Sequence, residues 1–328
     1  MEKSLAPVEP YQREIAPRPS NTDRFGEQRF WYWRGWRIRY THLTNTASTN
    51  KTPFLLLHGA GSSLEQWREN LVELAKERPV YALDLLGFGR SEKVATELNT
   101  DLWVAQTAAF CQTFFNQPIL LMGHSLGALV ALQMTTSHPE QVSRLVLLTL
   151  PAARQELAGR AAKVGAVVER WFASPLLIRP IFRLLRSPTL IRKVLKALSQ
   201  DATKVDDELI DSFVQPTQER GAARTFCYLV KSRTSDSFSP LTQELIPQVS
   251  VPTLLLWGAR DRVIPIAWGQ YINRLNPHLT FIEVAAAGHF LYDESAPDLH
   301  DLIDQWLANK LPKTNSDLIE KLPKQKSR

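Results

Sequence analysis

The sequence predicts an α/β protein in which a doubly wound, mostly parallel sheet carries an inserted helical cap. Short apolar runs alternate with helix-like stretches, a rhythm typical of strands joined by helical crossovers. The runs fall at about 53–57, 79–83, 118–122, 144–149, 252–257 and 279–284. The interval between the fourth and fifth runs is far longer than one crossover. With 328 residues and 44% hydrophobic content, the chain is long enough for one large core and an insertion.

The elements divide the chain into four regions. Before the first run, aromatic residues on both sides of Arg34-Gly35 predict a β-hairpin over about 29–40. Proline and charge dominate both ends of the chain, which favours loose termini. We expect a flexible N-terminal arm at 1–24, a core formed by 25–151 and 241–308, a helical cap at 152–240 and a basic flexible tail at 309–328.

The most informative motif is Gly-x-Ser-x-Gly at 123–127. An apolar run precedes it and another follows it, so the motif joins a predicted strand to a predicted helix. In that context the pattern is typical of a nucleophile elbow, a sharp turn that exposes a serine hydroxyl. Side chains at Gly123 and Gly127 would collide with the adjoining strand and helix. We therefore predict Ser125 as a nucleophile, with Gly123, His124 and Gly127 supporting its turn.

A serine hydroxyl needs a base, and the base needs a partner that fixes its tautomer and stabilises its cation. Asp261 follows the predicted strand at 252–257, and His289 follows the predicted strand at 279–284. Both positions lie just past the carboxyl end of a strand. The sequence therefore predicts Asp261 and His289 as the acid and base that act on Ser125. The competing interpretation of Asp261 is a surface aspartate paired with a neighbouring arginine.

Negative charge on the reacting oxygen requires fixed donors, and backbone N–H groups need no reorganisation to act. The amide of Leu126, directly after the nucleophile, is one predicted donor of an oxyanion hole. The other is Ala60, in the loop that follows the first parallel strand, with the amide of Gly61 as the alternative. Gly59 and Gly61 allow that loop to turn inward. His58 is expected to hold the geometry of its backbone.

These motifs resemble those of the α/β-hydrolase fold superfamily, in the branch with a His-Gly-x oxyanion loop, over roughly residues 28 to 308. The Asp-x-x-Gly-x-Gly-x-Ser loop at 84–91 and the segment 138–142 are similar to those of many members. The order serine, aspartate, histidine is also that of the superfamily. The resemblance implies acyl transfer, because relatives that form an alkyl-enzyme ester have an aspartate at the elbow. Asp84 precedes Ser125, so we expect it to hold local turns with Arg90.

Several other classes of protein are disfavoured. The sequence has no apolar run of about 18 residues and no secretory leader pattern. It has no metal-ligand spacing and no dinucleotide-binding glycine motif, so we expect no metal and no cofactor. Cys111 and Cys227 are expected to be buried thiols, which is typical of a reducing compartment. These features predict a cytoplasmic enzyme that does not bind nucleic acid; its oligomeric state is left open.

Basic charge is concentrated in the predicted cap. The chain carries a net charge of +6, yet the segment 154–196 alone holds ten Lys and Arg against two Glu, among many apolar residues. Two interpretations remain open. The cap rests on an anionic membrane surface or admits a lipid-like substrate, or its apolar face packs on the core and its arginines are simply solvated.

The sequence thus predicts a serine hydrolase that cleaves a hydrophobic ester, or a related acyl bond, through an acyl-enzyme. Carbon–carbon bond hydrolases of ring-cleavage products share this architecture and form one alternative. Chlorophyll-dephytylating esterases, whose loop resembles the one at 84–91, form a second. A third alternative, of another class, is a non-catalytic small-molecule receptor that uses the same pocket only for binding.

Overall fold

The computed structural model describes residues 22–44, 50–156, 180, 182–184 and 186–311. Eight strands occur in these residues: β1 (Glu27–Trp33), β2 (Trp36–Leu43), β3 (Phe54–Leu57), β4 (Val80–Leu83), β5 (Ile119–His124), β6 (Val142–Leu148), β7 (Thr253–Gly258) and β8 (Leu279–Val284). They form one sheet in the order β1-β2-β4-β3-β5-β6-β7-β8. The predicted aromatic hairpin is β1 and β2.

The sheet is antiparallel at one edge and parallel elsewhere. β2 pairs antiparallel with both β1 and β4, whereas β4, β3, β5, β6, β7 and β8 pair parallel in turn. Parallel strands covered on both faces are almost continuously apolar, and every residue of β3, β5 and β7 is buried. The prediction of a mostly parallel α/β sheet is therefore confirmed.

Helices cover both faces of the sheet. Those with bounds inside the described residues are α1 (Thr22–Phe25), α2 (Leu71–Ala75), α3 (Thr100–Phe114), α4 (Leu126–Ser137), α5 (Pro188–Leu198), α6 (Asp207–Gln218), α7 (Ala222–Arg233), α8 (Thr242–Leu245), α9 (Ile266–Asn273), α10 (Leu291–Glu294) and α11 (Ala296–Leu307). Leu55 and Leu57 of β3 join the apolar cluster of α3 and α4, whereas Phe54 and Leu56 join that of α2 and α11. This alternation, set by the two-residue period of a strand, makes the fold doubly wound.

A long insertion separates β6 from β7 and contains α5, α6, α7 and α8. Leu195 of α5 and Leu209 of α6 are buried in the same apolar cluster as the sheet residues Leu148 and Leu256. The helices of the insertion therefore pack on the face of the core at the carboxyl ends of the strands. Much of the basic segment 154–196 lies outside the described residues, namely 157–179, 181 and 185.

The expected terminal segments are only partly covered. Residues 1–21 of the expected arm and 312–328 of the expected tail lie outside the described residues. Thr22–Phe25 form α1, and Arg24 bonds to Glu69 and Glu208 as well as to the carbonyl oxygen of Arg68. Within the described residues, no helix is both long and apolar enough to cross a bilayer.

Candidate active site

Ser125 lies in a strained turn between β5 and α4. Its φ of 51° and ψ of −115° place a non-glycine residue in a conformation that L-amino acids rarely adopt. The turn is held from outside, because the N–H of Ser125 donates to the carbonyl oxygen of Leu148, 3.0 Å away. A Cβ atom at Gly123 would lie 2.2 Å from the carbonyl oxygen of Gly127. The two glycines are thus required by close backbone contacts, as their positions in the motif predict.

Asp261 and His289, 28 residues apart in sequence, form a direct pair. The Nδ1 of His289 donates to Oδ2 of Asp261 across 2.8 Å, and the Asp261 side chain is fully buried. Oδ1 of the same carboxylate accepts the N–H groups of Val263 and Ile264 at 2.7 and 2.9 Å. Both oxygens of the carboxylate therefore accept hydrogen bonds from neighbouring groups. In a neutral imidazole, a proton on Nδ1 leaves Nε2 as an acceptor.

Ser125 and His289 both line one cavity of about 750 Å³ between the sheet and the insertion. Helices α5 and α6 of the insertion contribute apolar side chains to its wall: Leu190, Ile191, Val194, Leu195, Leu198 and Phe213. Its floor also includes apolar side chains of the core, among them Leu129, Trp268 and Phe290. Arg154, Glu156 and Arg233 are the charged side chains among the lining residues that the structure describes.

The two predicted oxyanion donors, Ala60 and Leu126, border the same cavity. Leu126 is the first residue of α4, where N–H groups have no partner within the helix. The loop of Ala60 is fixed on one side by Gly59, whose N–H donates to Oε1 of Gln66 at 2.9 Å. On the other side, Gly61 adopts a φ of 75°, which glycine tolerates without strain. Both backbone segments are thus held before any ligand arrives.

His58 and His124 connect loops rather than expose a reactive nitrogen. His58 is fully buried; its Nδ1 donates to the carbonyl oxygen of Gly59 at 2.7 Å, and its Nε2 accepts the N–H of Leu85 at 3.1 Å. The Nε2 of His124 donates to the carbonyl oxygen of His289 at 3.0 Å. Burial lowers the pKa of His58 and lowers that of His124 well below its ordinary value. Both rings are therefore neutral at physiological pH, and their hydrogen bonds hold neighbouring loops together.

Asp84 is the carboxylate most easily mistaken for the triad acid. It is completely buried and accepts the N–H groups of Leu64 and Arg90, each at 2.7 Å, together with Nε of Arg39 at 2.6 Å. These bonds join β2 to two loops beside the site. Asp84 holds turns, as expected from its place ahead of Ser125 in the chain.

Glu294 supports the histidine loop, and the sequence analysis did not single it out. Its Oε2 accepts the N–H of Gly288, the residue before His289. Its Oε1 accepts the hydroxyl of Ser199 and the N–H of Gln200, at 2.8 and 2.7 Å. One buried carboxylate therefore ties the insertion to the backbone that carries His289. The available signal was an acidic residue in a largely apolar stretch just after the histidine.

Arg68 makes a second connection of the same kind. It is 5% exposed, its guanidinium bonds to both oxygens of Asp293 at 2.8 and 3.0 Å, and it reaches Asp206 in the insertion at 2.6 Å. Nζ of Lys204 donates to the carbonyl oxygens of Asp293 and Glu294. No pattern in the sequence indicates these contacts, because the partners lie far apart along the chain.

The described residues contain no group of three or more His, Cys, Asp or Glu arranged to hold a metal ion. Cys111 and Cys227 are both buried and are not joined by a disulfide.

Comparison with known proteins identifies the family. The model of the alpha/beta hydrolase fold family matches residues 52–296, about three quarters of the chain. The chain therefore belongs to the α/β-hydrolase fold family. The match spans the six strands from β3 to β8 and the insertion between β6 and β7.

Individual relatives are distant but cover most of the chain. An uncharacterized hydrolase of Bacillus subtilis is 25% identical over 266 residues, which are 81% of this chain and 92% of that protein. The 2-hydroxymuconate semialdehyde hydrolase of a Pseudomonas species is 27% identical over 271 residues, covering 78% and 87%. The crystal structure of a serine hydrolase involved in carbazole degradation has a TM-score of 0.69 and 23% identity, covering 86% and 99%. These similarities support a hydrolase of this fold.

Proposed function

We propose that this protein is a serine hydrolase that cleaves hydrophobic carboxylic esters through an acyl-enzyme. The observation that carries the proposal is the 2.8 Å bond between His289 and Asp261 beside a cavity that also contains the strained Ser125. A histidine with its proton held on Nδ1 has its other nitrogen available as a base. Strain at a solvent-accessible serine is typical of a nucleophile rather than of a structural residue.

In the proposed reaction, Nε2 of His289 takes the proton of the Ser125 hydroxyl as its oxygen attacks the ester carbonyl carbon. Asp261 stabilises the imidazolium that forms. The tetrahedral intermediate collapses, the alcohol leaves with the proton from His289, and Ser125 is acylated. A water molecule then gives a proton to His289 as its oxygen attacks the acyl carbon. The second tetrahedral intermediate collapses, the Ser125 oxygen leaves with that proton from His289, and the acid is released.

The amides of Ala60 and Leu126 are the proposed donors to the oxyanion. Both belong to backbone that is fixed in advance, so the charge forms among oriented dipoles. Loss of one such donor typically costs about 3–4 kcal/mol of transition-state stabilisation. Because these donors are backbone groups, side-chain substitution at either position leaves them in place.

The shape and lining of the cavity support a hydrophobic acyl or alcohol group. A cavity of about 750 Å³ has room for a chain or ring system much larger than acetate. The part of its wall formed by α5 and α6 consists of aliphatic and aromatic side chains, which favour the transfer of apolar substrate surface out of water. We therefore expect activity to rise with acyl chain length.

A carbon–carbon bond hydrolase is the second candidate function. Arg154 and Arg233 among the lining residues favour an acidic substrate, and one relative is named for a muconate derivative. The same serine, base and oxyanion donors would serve this reaction. The two candidates differ in whether the substrate carries a carboxylate that the arginines bind.

Labelling with a fluorophosphonate probe tests the proposed nucleophile. We expect the wild-type chain to be labelled at Ser125 and Ser125→Ala to remain unlabelled while keeping its circular dichroism spectrum. Asp261→Asn should lower turnover about ten-thousandfold, because the imidazole takes the wrong tautomer. Ser137→Ala, a matched change at the far end of α4, should be labelled like the wild type. Labelling of Ser125→Ala at the wild-type rate would exclude the proposal.

Substrate assays separate the candidates. Increasing hydrolysis of p-nitrophenyl esters with acyl length would support the ester hydrolase. Turnover of 2-hydroxymuconate semialdehyde, lowered by Arg233→Met, in a protein inactive on esters would support the second candidate. Binding of small molecules with neither labelling nor turnover would indicate a receptor and overturn both.

A further inference from the structure

Helix α5 forms part of the cavity wall and also faces solvent. Leu190, Ile191, Val194, Leu195 and Leu198 recur at helical spacing and line the cavity. The same helix exposes Lys193 and Lys196, and neither lines the cavity. α5 thus turns apolar side chains to the cavity and its lysines to the solvent, with Val194, which both lines the cavity and is exposed, at the boundary between them.

Large apolar side chains lie exposed at the mouth of this cavity. Val194 of α5 is 46% exposed and Val263, beside Asp261, is 43% exposed; both line the cavity. A hydrogen bond of 3.1 Å from Arg262 to the carbonyl oxygen of Ala197 joins the two elements that carry them. Leu184, one turn before α5, is 65% exposed and lies outside the cavity lining. Exposed apolar residues beside a cavity are typical of an interaction surface.

The positive charge of this surface favours an anionic partner. Between residues 180 and 200 the chain contains five basic residues and no acidic one. Arg183, Arg186, Lys193 and Lys196 are exposed, and none has an acidic partner within 4 Å among the described residues. Within the segment, Arg192 pairs with Asp207. Basic side chains interleaved with exposed apolar ones match an anionic lipid surface, where cations meet headgroups and apolar groups enter the interface.

We propose that this basic cap face, formed by Arg183, Leu184, Arg186, Lys193, Val194, Lys196 and Val263, binds the surface of an anionic membrane. Bound in this way, the mouth of the cavity opens onto the bilayer, so an apolar substrate enters without crossing water. Binding itself is independent of the reaction at Ser125. The entry of substrate from the membrane rests on the proposed hydrolase function.

Vesicle flotation with the full-length Ser125→Ala chain tests membrane binding without turnover. The protein should float with vesicles of equal parts phosphatidylcholine and phosphatidylglycerol, remain unbound with phosphatidylcholine alone, and dissociate as salt is raised. Lys193→Ala/Lys196→Ala should lower the partition coefficient about 25-fold, since each basic residue near an anionic leaflet contributes about fivefold. Lys51→Ala/Lys76→Ala, at the amino ends of the strands, should bind unchanged.

Three results would overturn the membrane proposal. The first is binding to neutral vesicles that equals binding to anionic vesicles. The second is binding of the Lys193→Ala/Lys196→Ala variant to anionic vesicles that equals binding of the chain with both lysines. The third is a chain that does not bind vesicles but forms a concentration-dependent dimer, which the two substitutions abolish. In a chain that retains Ser125, the same two substitutions should leave hydrolysis of a soluble short ester unchanged. If the chain with both lysines intact does not bind anionic vesicles but hydrolyses the ester, the membrane proposal alone is refuted. Normal vesicle binding with no serine labelling would refute the hydrolase alone.

Discussion

The two halves of the candidate site differ in how far side chains help to hold them. Ser125 is held by main chain: a bond to the Leu148 carbonyl oxygen and glycines packed against neighbouring backbone. The backbone before His289 also has a main-chain bond, from the N–H of Arg260 to the carbonyl oxygen of Ala287 at 3.0 Å. In addition it is held by the side chain of Glu294, whose partners include residues of the insertion. The turn of Ser125 is therefore held within the core, whereas the loop of His289 is also tied to the insertion.

Substitution of Gly127 should show the largest effect, and it tests the main-chain contacts that hold the turn of Ser125. A Cβ atom at Gly127 would lie 2.2 Å from the carbonyl oxygen of Leu57, and backbone cannot give way as a side chain can. We expect Gly127→Ala to lower the free energy of unfolding by at least about 3 kcal/mol, as measured by urea denaturation. Gly35→Ala is the control: its φ is 81° but no atom lies within 4 Å, so it should cost about 1 kcal/mol. Equal costs would contradict close packing as the cause.

Substitution of Glu294 tests the side-chain contacts that tie the loop of His289 to the insertion. Glu294→Ala leaves the N–H groups of Gly288 and Gln200 without their acceptor, which should cost about 1–3 kcal/mol of stability. The looser His289 backbone should slow fluorophosphonate labelling of Ser125 about ten- to hundredfold, measured where circular dichroism shows a folded chain. Ser199→Ala removes one of the three donors and should have a smaller effect. Equal labelling rates in the wild type and Glu294→Ala would show that the base is positioned without the insertion.

The smallest expected effect concerns the ion pair of Glu65 with Arg39 of β2 and its contribution to stability at low pH. Burial would raise the pKa of Glu65, but the charge of Arg39 and its two hydrogen bonds of 2.6 Å lower it to about 2 from 4.5. A carboxylate with a lowered pKa contributes stability above about pH 4.5 and loses it as the pH falls towards 2. Glu65→Gln should flatten the dependence of unfolding free energy on pH by about 1–2 kcal/mol over this window, after allowance for solvent screening. Exposed Glu140→Gln should leave the slope unchanged; the same change in both variants would contradict the assignment.

The local pattern of apolar residues was sufficient to predict where the individual strands lie along the chain. The apolar runs of the parallel strands and the aromatic hairpin appear where the sequence places them, within about three residues. One difference is β5, which continues through Gly123 and His124, because these residues pair with Leu147 and Leu148 of β6. The order of strands in the sheet depends on pairing between distant segments, and the pattern along the chain does not contain it.

The candidate site likewise contains residues that the local sequence indicates and residues that it does not. Ser125, Asp261 and His289 stand in recognisable strand-to-loop contexts, so their sequence positions alone suggested their proximity. Arg68 and Glu294 carry no such context, because their partners lie up to 225 residues away. Buried charges of this kind depend on which loops the fold brings together.

The insertion between β6 and β7 also sets the order in which the site can be assembled. During synthesis Ser125 and both oxyanion segments leave the ribosome first, and His289 follows roughly ten to thirty seconds later at ordinary elongation rates. Until β7 pairs with it, β6 is an open edge, and in the proposed mechanism Ser125 then has no base to accept its proton. If the proposed function holds, the growing polypeptide carries an unreactive serine until β7 and β8 complete the sheet.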